Sequence, residues 1–106
     1  MRIYISGKIT GRPTEEYIEQ FCKAETELIR KGYSVVNPAV TNMTLPKDTT
    51  HEEYMIVSIA LLRICDTIYM LDGWLDSKGA KEEFIYAVKH DYDLMFEGDA
   101  PCRSIN

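Results

Sequence analysis

The chain of 106 residues reads as an α/β protein, a three-layer sandwich in which helices cover both faces of a parallel sheet. Two observations predict this. Short β-rich runs alternate with longer stretches whose apolar residues recur at helical spacing, giving strand, helix, strand, helix, strand, helix, strand in sequence. Each strand leads through a polar turn into a helix rather than into a second strand, so consecutive strands must be joined by right-handed crossovers. The result is a sheet of four strands, five at most, with 2-1-3-4 as its natural order. Residues 1–106 suffice for one modest core and leave no room for a second, so a single domain is expected.

The elements follow in order. Arg2 to Ser6 alternates and is β-rich, which makes it the first strand. Gly7-Lys8-Ile9-Thr10-Gly11-Arg12-Pro13 then supplies two glycines, a proline and two cations, a loop of phosphate size. From Thr14 to Lys31 the residues Tyr17, Phe21, Ala24 and Leu28, joined by Ile18 and Ile29, form one face of a helix that stops at Gly32. Tyr33 to Val36 is the second strand, ended by Asn37-Pro38 because a residue before proline avoids helical geometry. Pro38 to Thr49 holds two prolines and no periodicity, and is expected to be a loop. Thr50-His51-Glu52-Glu53 matches a capping box and opens a second helix carrying Tyr54, Met55, Val57, Leu61, Leu62 and Ile64. Thr67 to Leu71 is the third strand, Lys78 to Lys89 the third helix, and Asp93 to Glu97 the fourth strand after the His90-Asp91 turn. The last nine residues read as an irregular tail.

Composition excludes several function classes. Hydrophobic content of 45% and charged content of 27% are ordinary for a globular chain. A formal net charge of −5 argues against nucleic acid as the partner. Cys22, Cys65 and Cys102 are odd in number, widely spaced and without a CxxC pair, so neither a disulfide framework nor a zinc site is expected. His51 and His90 have no carboxylate or cysteine at ligand spacing, so no metal is expected either. The chain begins Met-Arg-Ile-Tyr-Ile, straight into a strand, and no apolar run approaches the roughly 18 residues of a membrane helix. A cytoplasmic location without membrane contact is the expectation.

In the order 2-1-3-4 the connections from strands 1 and 3 leave in opposite directions, so a crevice opens at their carboxyl ends. There the Gly7 to Arg12 loop faces the Asp72 to Gly79 turn. Ser77 is an N-cap by type and position, and its helix end offers free amides and a positive dipole to an anion. Glu83, one and a half turns in, faces the crevice if Gly79 and Ala87 face the sheet. Glu82, about 100° round the helix, should face solvent. Trp74 is placed either to stack on a base or sugar or simply to pack at the strand end.

Here the residues resemble a known family. Tyr4-x-x-Gly7-x-Ile9-x-Gly11, Asp66 before the third strand, and Ser77-x-Gly79-x-x-x-Glu83, together with Asn37-Pro38 and Gly73-Trp74, are similar to the nucleoside 2-deoxyribosyltransferase-like superfamily. The nearer likeness is to its 2′-deoxynucleoside 5′-phosphate N-hydrolase branch and to short bacterial and phage members. The resemblance covers roughly residues 3 to 96 and implies a Rossmann-like or flavodoxin-like domain. It implies cleavage or transfer of an N-glycosidic bond on a 2′-deoxynucleoside or its 5′-monophosphate, with no cofactor. Glu83 would be the nucleophile, Asp66 would lie beside it to hold a proton or orient it, and the Tyr4 hydroxyl would bond it. Ser6, Gly7, Lys8, Ile9, Thr10, Asp72, Trp74, Ser77 and Gly79 would bind the substrate. Two positions depart from the pattern: Ser58 stands where the family carries an Asp on the second helix, and Ser77 where the transferases carry a second Asp. A non-catalytic nucleotide-binding or sensing module on the same fold is the alternative. Surplus apolar surface on the second and third helices leads to the expectation of a homodimer or larger homo-oligomer.

Overall fold

The computed structural model describes residues 1–98 of the chain and has the expected architecture. The elements are β1 (Arg2–Ser6), α1 (Thr14–Arg30), β2 (Ser34–Val36), α2 (Pro38–Asn42), α3 (His51–Arg63), β3 (Thr67–Met70), α4 (Lys78–Lys89) and β4 (Asp93–Phe96). A single 3-10 turn, Trp74–Asp76, precedes α4. The four strands form one all-parallel sheet ordered β2-β1-β3-β4, with Tyr4 between Val36 and Ile68. The tail read from the last nine residues, and Cys102 within it, lie outside the described residues except for Gly98.

The two-residue period of the strands divides the core. Ile3 and Ile5 point to one face, where they pack with Leu71 under Phe21, Ala24 and Leu28 of α1. Tyr4 points to the other, with Ile68 and Met70, under Leu62 of α3 and Ala80 and Ala87 of α4. On α1 the buried stripe is narrower than the apolar pattern implied. Ile29, read as part of the core face, is 53% exposed, because the i, i+3, i+7 line through Phe21, Ala24 and Leu28 already covers this end of the sheet.

One expected loop is partly helical. Residues 38–42 form α2, started by Asn37, whose side-chain oxygen accepts from the Ala39 amide at 3.1 Å, with Pro38 in the first turn. Five residues are too few to show a period, so the cap and the proline are its only sequence signals. The capping box of α3 has both bonds: the Glu53 amide donates to Thr50 Oγ1 at 3.1 Å and the Thr50 amide to Glu53 Oε1 at 2.8 Å. Among the described residues no helix is long and apolar enough to cross a membrane.

The chain leaves β1 through a very tight passage. A Cβ on Gly7 would lie 2.9 Å from Leu71 Cδ1, 3.0 Å from Leu71 Cβ and 3.2 Å from Phe21 Cζ. Those contacts are both core side chains, so neither can swing away. At Gly11 a Cβ would meet nothing within 4 Å, and only its φ of +82° disfavours a side chain. Gly7→Ala is expected to cost about 1–3 kcal/mol in urea denaturation through overpacking. Gly11→Ala should cost about 1 kcal/mol. Within that range the loss at Gly7 should be the larger of the two, and a loss no larger than that at Gly11 would contradict the packing account.

Candidate active site

The site grows from two faces. On β1, Tyr4 and Ser6 are two residues apart and so point the same way, toward α3 and α4. On α4, the inward line is Ala80, Glu83 and Ala87, at i, i+3 and i+7. The two alanines let the helix sit close on the sheet, and the glutamate between them is thereby pressed against β1. Glu83 is 6% exposed. The Tyr4 hydroxyl donates to its Oε2 at 2.5 Å and the Ser6 hydroxyl to its Oε1 at 2.6 Å, so each carboxylate oxygen has a donor.

Burial dominates the electrostatics of this group. Loss of water pushes the Glu83 carboxyl up to about 7, while the Ser6 and Tyr4 hydroxyls pull it back and the neighbouring Glu82 charge adds slightly to the rise. The Tyr4 hydroxyl is held well above its usual range by burial and by the adjacent carboxylate, so it remains a donor at any ordinary pH. Ser58, buried on α3, favours the ionised forms of both groups and so opposes the effect of burial. Near pH 7 the Glu83 carboxyl thus stands close to the midpoint of its titration.

Glu83 and Tyr4 form part of the wall of a cavity of about 680 Å³ at the carboxyl edge of the sheet. Its other walls come from the loop Gly7–Arg12, the turn and first residues of α4 from Asp76 to Ala80, Pro38 and Asn42 of α2, and the inner side of α3. The Ser77 hydroxyl accepts from the Ala80 amide at 3.1 Å, which leaves the amides of Lys78 and Gly79 without helical partners. Lys8 and Lys78 line the cavity, and among the described residues neither is in an ion pair. Arg12 is engaged differently. It donates to the Lys8 carbonyl at 3.0 Å and to Gln20 Oε1 at 2.6 Å, and pairs with Glu16 at 3.3 Å, which braces the loop. Gln20 continues the brace to Glu97, whose carboxylate also accepts from the Asp72 amide.

Residues 1–96 match the family described as a domain of unknown function, DUF4406. The chain belongs to that family. No curated protein matches it.

Within this DUF4406 domain, Glu83, Tyr4, Gly7, Lys8, Ile9, Thr10, Ser77 and Gly79 surround one cavity. Ser6 is 1% exposed and meets Glu83 rather than the cavity, so its hydroxyl positions the carboxylate instead of touching a ligand. Gly79 does not face the sheet as expected. A Cβ there would meet Met55 Sδ at 3.3 Å, so its smallness serves the α3–α4 contact.

Asp66 does not join the cluster. It stands before β3, at the amino edge of the sheet, where its carboxylate accepts from the Arg2 amide and the Thr67 hydroxyl, both at 3.0 Å. The Thr67 hydroxyl, and then the Arg2 amide, hold its pKa below the usual value. Its place is that of a cap between strands, a full strand length from the carboxyl edge. Asp72 and Trp74 also lie outside the cavity lining. Their turn leans toward β4: Trp74 packs on Phe84 and Phe96 at ring-centre distances of 4.7 and 6.3 Å. Apolar burial beside two other rings outweighs exposure at a cleft rim.

Asn42, His51, Tyr54 and Met55 are among the lining residues that sequence reasoning missed. Asn42 lay in a presumed loop, and its Oδ1 is buried without a hydrogen-bond partner among the described residues. Also among the described residues, no three His, Cys, Asp or Glu side chains gather as a metal set.

The raised pKa of Glu83 links folding to pH. Its unfolded value is 4.5 and its folded value about 7, so its contribution to stability is fully present below 4.5 and is lost as pH rises through 7. The loss is of order 3 kcal/mol. Glu83→Gln cannot titrate, so the variant should gain on the wild type by that amount between pH 4.5 and pH 8 in chemical denaturation. A stability difference that stays constant across this range would show that the carboxyl is not desolvated in the folded state.

Proposed function

We propose that this DUF4406 domain cleaves or transfers the N-glycosidic bond of a 2′-deoxynucleoside or its 5′-monophosphate, with Glu83 as nucleophile. The observation that carries the proposal is the buried Glu83 carboxylate, held on both oxygens by Tyr4 and Ser6 beside a cavity with an anion-binding rim. The resemblance of Tyr4-x-x-Gly7-x-Ile9-x-Gly11 and Ser77-x-Gly79-x-x-x-Glu83 to the nucleoside 2-deoxyribosyltransferase-like superfamily supports it.

In the proposed reaction a Glu83 oxygen attacks C1′ of the sugar. The C1′–N bond breaks, and its electron pair leaves with the base, whose nitrogen takes a proton from solvent at the cavity mouth. Water or a second base then attacks C1′, the glycosyl ester breaks and Glu83 is released as carboxylate, with one proton lost from the attacking group. Tyr4 and Ser6 fix the carboxylate in a single orientation, so little freedom is lost at the moment of attack. Lys8, Thr10, the amides of the Gly7–Arg12 loop and the start of α4 would hold the 5′-phosphate.

A second reading rests on Asp66 and Ser58. With Asp66 at the far edge and a serine on α3, no second carboxylate among the described residues is hydrogen-bonded to Glu83 or its two donors, which favours a module that binds the nucleotide without turning it over.

The deciding experiment measures free base released from 2′-deoxynucleosides and their 5′-monophosphates, with and without an acceptor base. The wild type should release base and Glu83→Gln should lose on the order of 10³-fold or more. Because the nucleophile must be ionised, release should rise with pH through about 7 and level off above it. Monophosphate binding without release by either protein would leave the binding module standing and end the enzyme proposal. Separately, the double substitution of Lys8 and Lys78 by Ala should raise KM for monophosphates about tenfold while leaving that for the unphosphorylated nucleosides nearly unchanged. Equal effects on both substrate classes would remove the phosphate from this rim.

A further inference from the structure

The α3 helix is apolar nearly all the way round. Ser58 and Leu62 are buried on its inner side, yet Ile56 on its outer side is 70% exposed. Glu52, Ile56, Ile59, Ala60 and Arg63 follow the i, i+4, i+7, i+8, i+11 spacing of a single helix face, and all five line one groove between α3 and α4. An acidic residue stands at one end of this stripe, a basic residue at the other, and aliphatic residues lie between.

Such a pattern is complementary to itself when reversed. Two copies of α3 laid antiparallel about a two-fold axis midway between Glu52 and Arg63 bring Glu52 of each against the partner's Arg63. The same register sets Ile56 against the partner's Ile59, and Met55, which also lines the groove, against the partner's Ala60. Large thus meets small, and opposite charges close both ends. The far wall of the groove holds Lys78 and Glu82, one charge of each sign. The face is therefore neutral overall on a chain whose formal net charge is −5, so two copies meet here without the repulsion their total charge would produce elsewhere. A strongly acidic or basic partner has no matching field on this face.

We propose that this face is an isologous homodimer interface, with α3 packed antiparallel on α3 of a second copy in the register Glu52 to the partner's Arg63. The proposal is independent of the chemistry assigned to Glu83.

Sedimentation equilibrium on the full chain tests it. The wild type should be a dimer in the micromolar range, and Ile56→Asp should be monomeric there. Glu52→Arg alone and Arg63→Glu alone each set like charges across the axis twice, and each should weaken dimerisation about tenfold. The double variant Glu52→Arg, Arg63→Glu restores opposite charges in exchanged positions and should recover most of the wild-type constant. Circular dichroism distinguishes loss of pairing from loss of folding. A wild type that stays monomeric to hundreds of micromolar would overturn the proposal and leave the groove to another occupant. A dimer that none of the variants shifts, or single variants that the double does not rescue, would overturn it equally.

Discussion

A carboxylate shut between a strand and a helix must be satisfied from inside the protein, and Glu83 imposes that requirement on everything around it. An ionised carboxylate without water is costly unless donors replace the lost solvent. Two hydroxyls do so, and they come from alternate residues of one strand, so β1 must present Tyr4 and Ser6 together at the height of the second turn of α4. Alanines on either side of Glu83 let the helix approach closely enough for those bonds to form. The bonds that satisfy Glu83 thus also tie β1 to α4 in distance and register.

The cavity follows from how the chain must leave the sheet. β1 and β3 are neighbours, but the segments after them depart toward opposite faces, the one to α1 and the other to α4. The wedge between them is entered by a loop that begins at Gly7, pressed on Leu71 and Phe21. Arg12, Gln20 and Glu97 then tie that loop to α1 and to the end of β4, so its amides keep a fixed orientation. Two cations, Lys8 and Lys78, thereby stand at the cavity of a chain whose formal net charge is −5.

Two acidic residues that look alike in the sequence end with opposite roles. Asp66 and Glu83 each border an apolar element, but Asp66 stands at the amino edge of the sheet, exposed, bound to the Arg2 amide and the Thr67 hydroxyl, with its pKa lowered. Glu83 is buried at the cavity floor, with its pKa raised to about 7. A carboxylate in the first setting is an ordinary structural anion. Only the second has its proton equilibrium moved toward neutrality.

The order of elements, the 2-1-3-4 sheet, the capping box of α3 and the Ser77 cap were legible in the sequence because each rests on local rules of period, cap chemistry or chirality. So was the convergence of Gly7–Thr10 and Ser77–Glu83, since topology alone brings those segments to one edge. Tertiary packing decided what no local rule carries. It turned Trp74 away from the cleft onto Phe84 and Phe96, assigned Ser6 to Glu83, aimed Gly79 at Met55, made α2 from five residues of presumed loop and brought Asn42 to the cavity wall. A side chain's partner depends on which residues distant in the sequence reach the same point and on how much water they exclude. Those quantities exist only once the chain has folded.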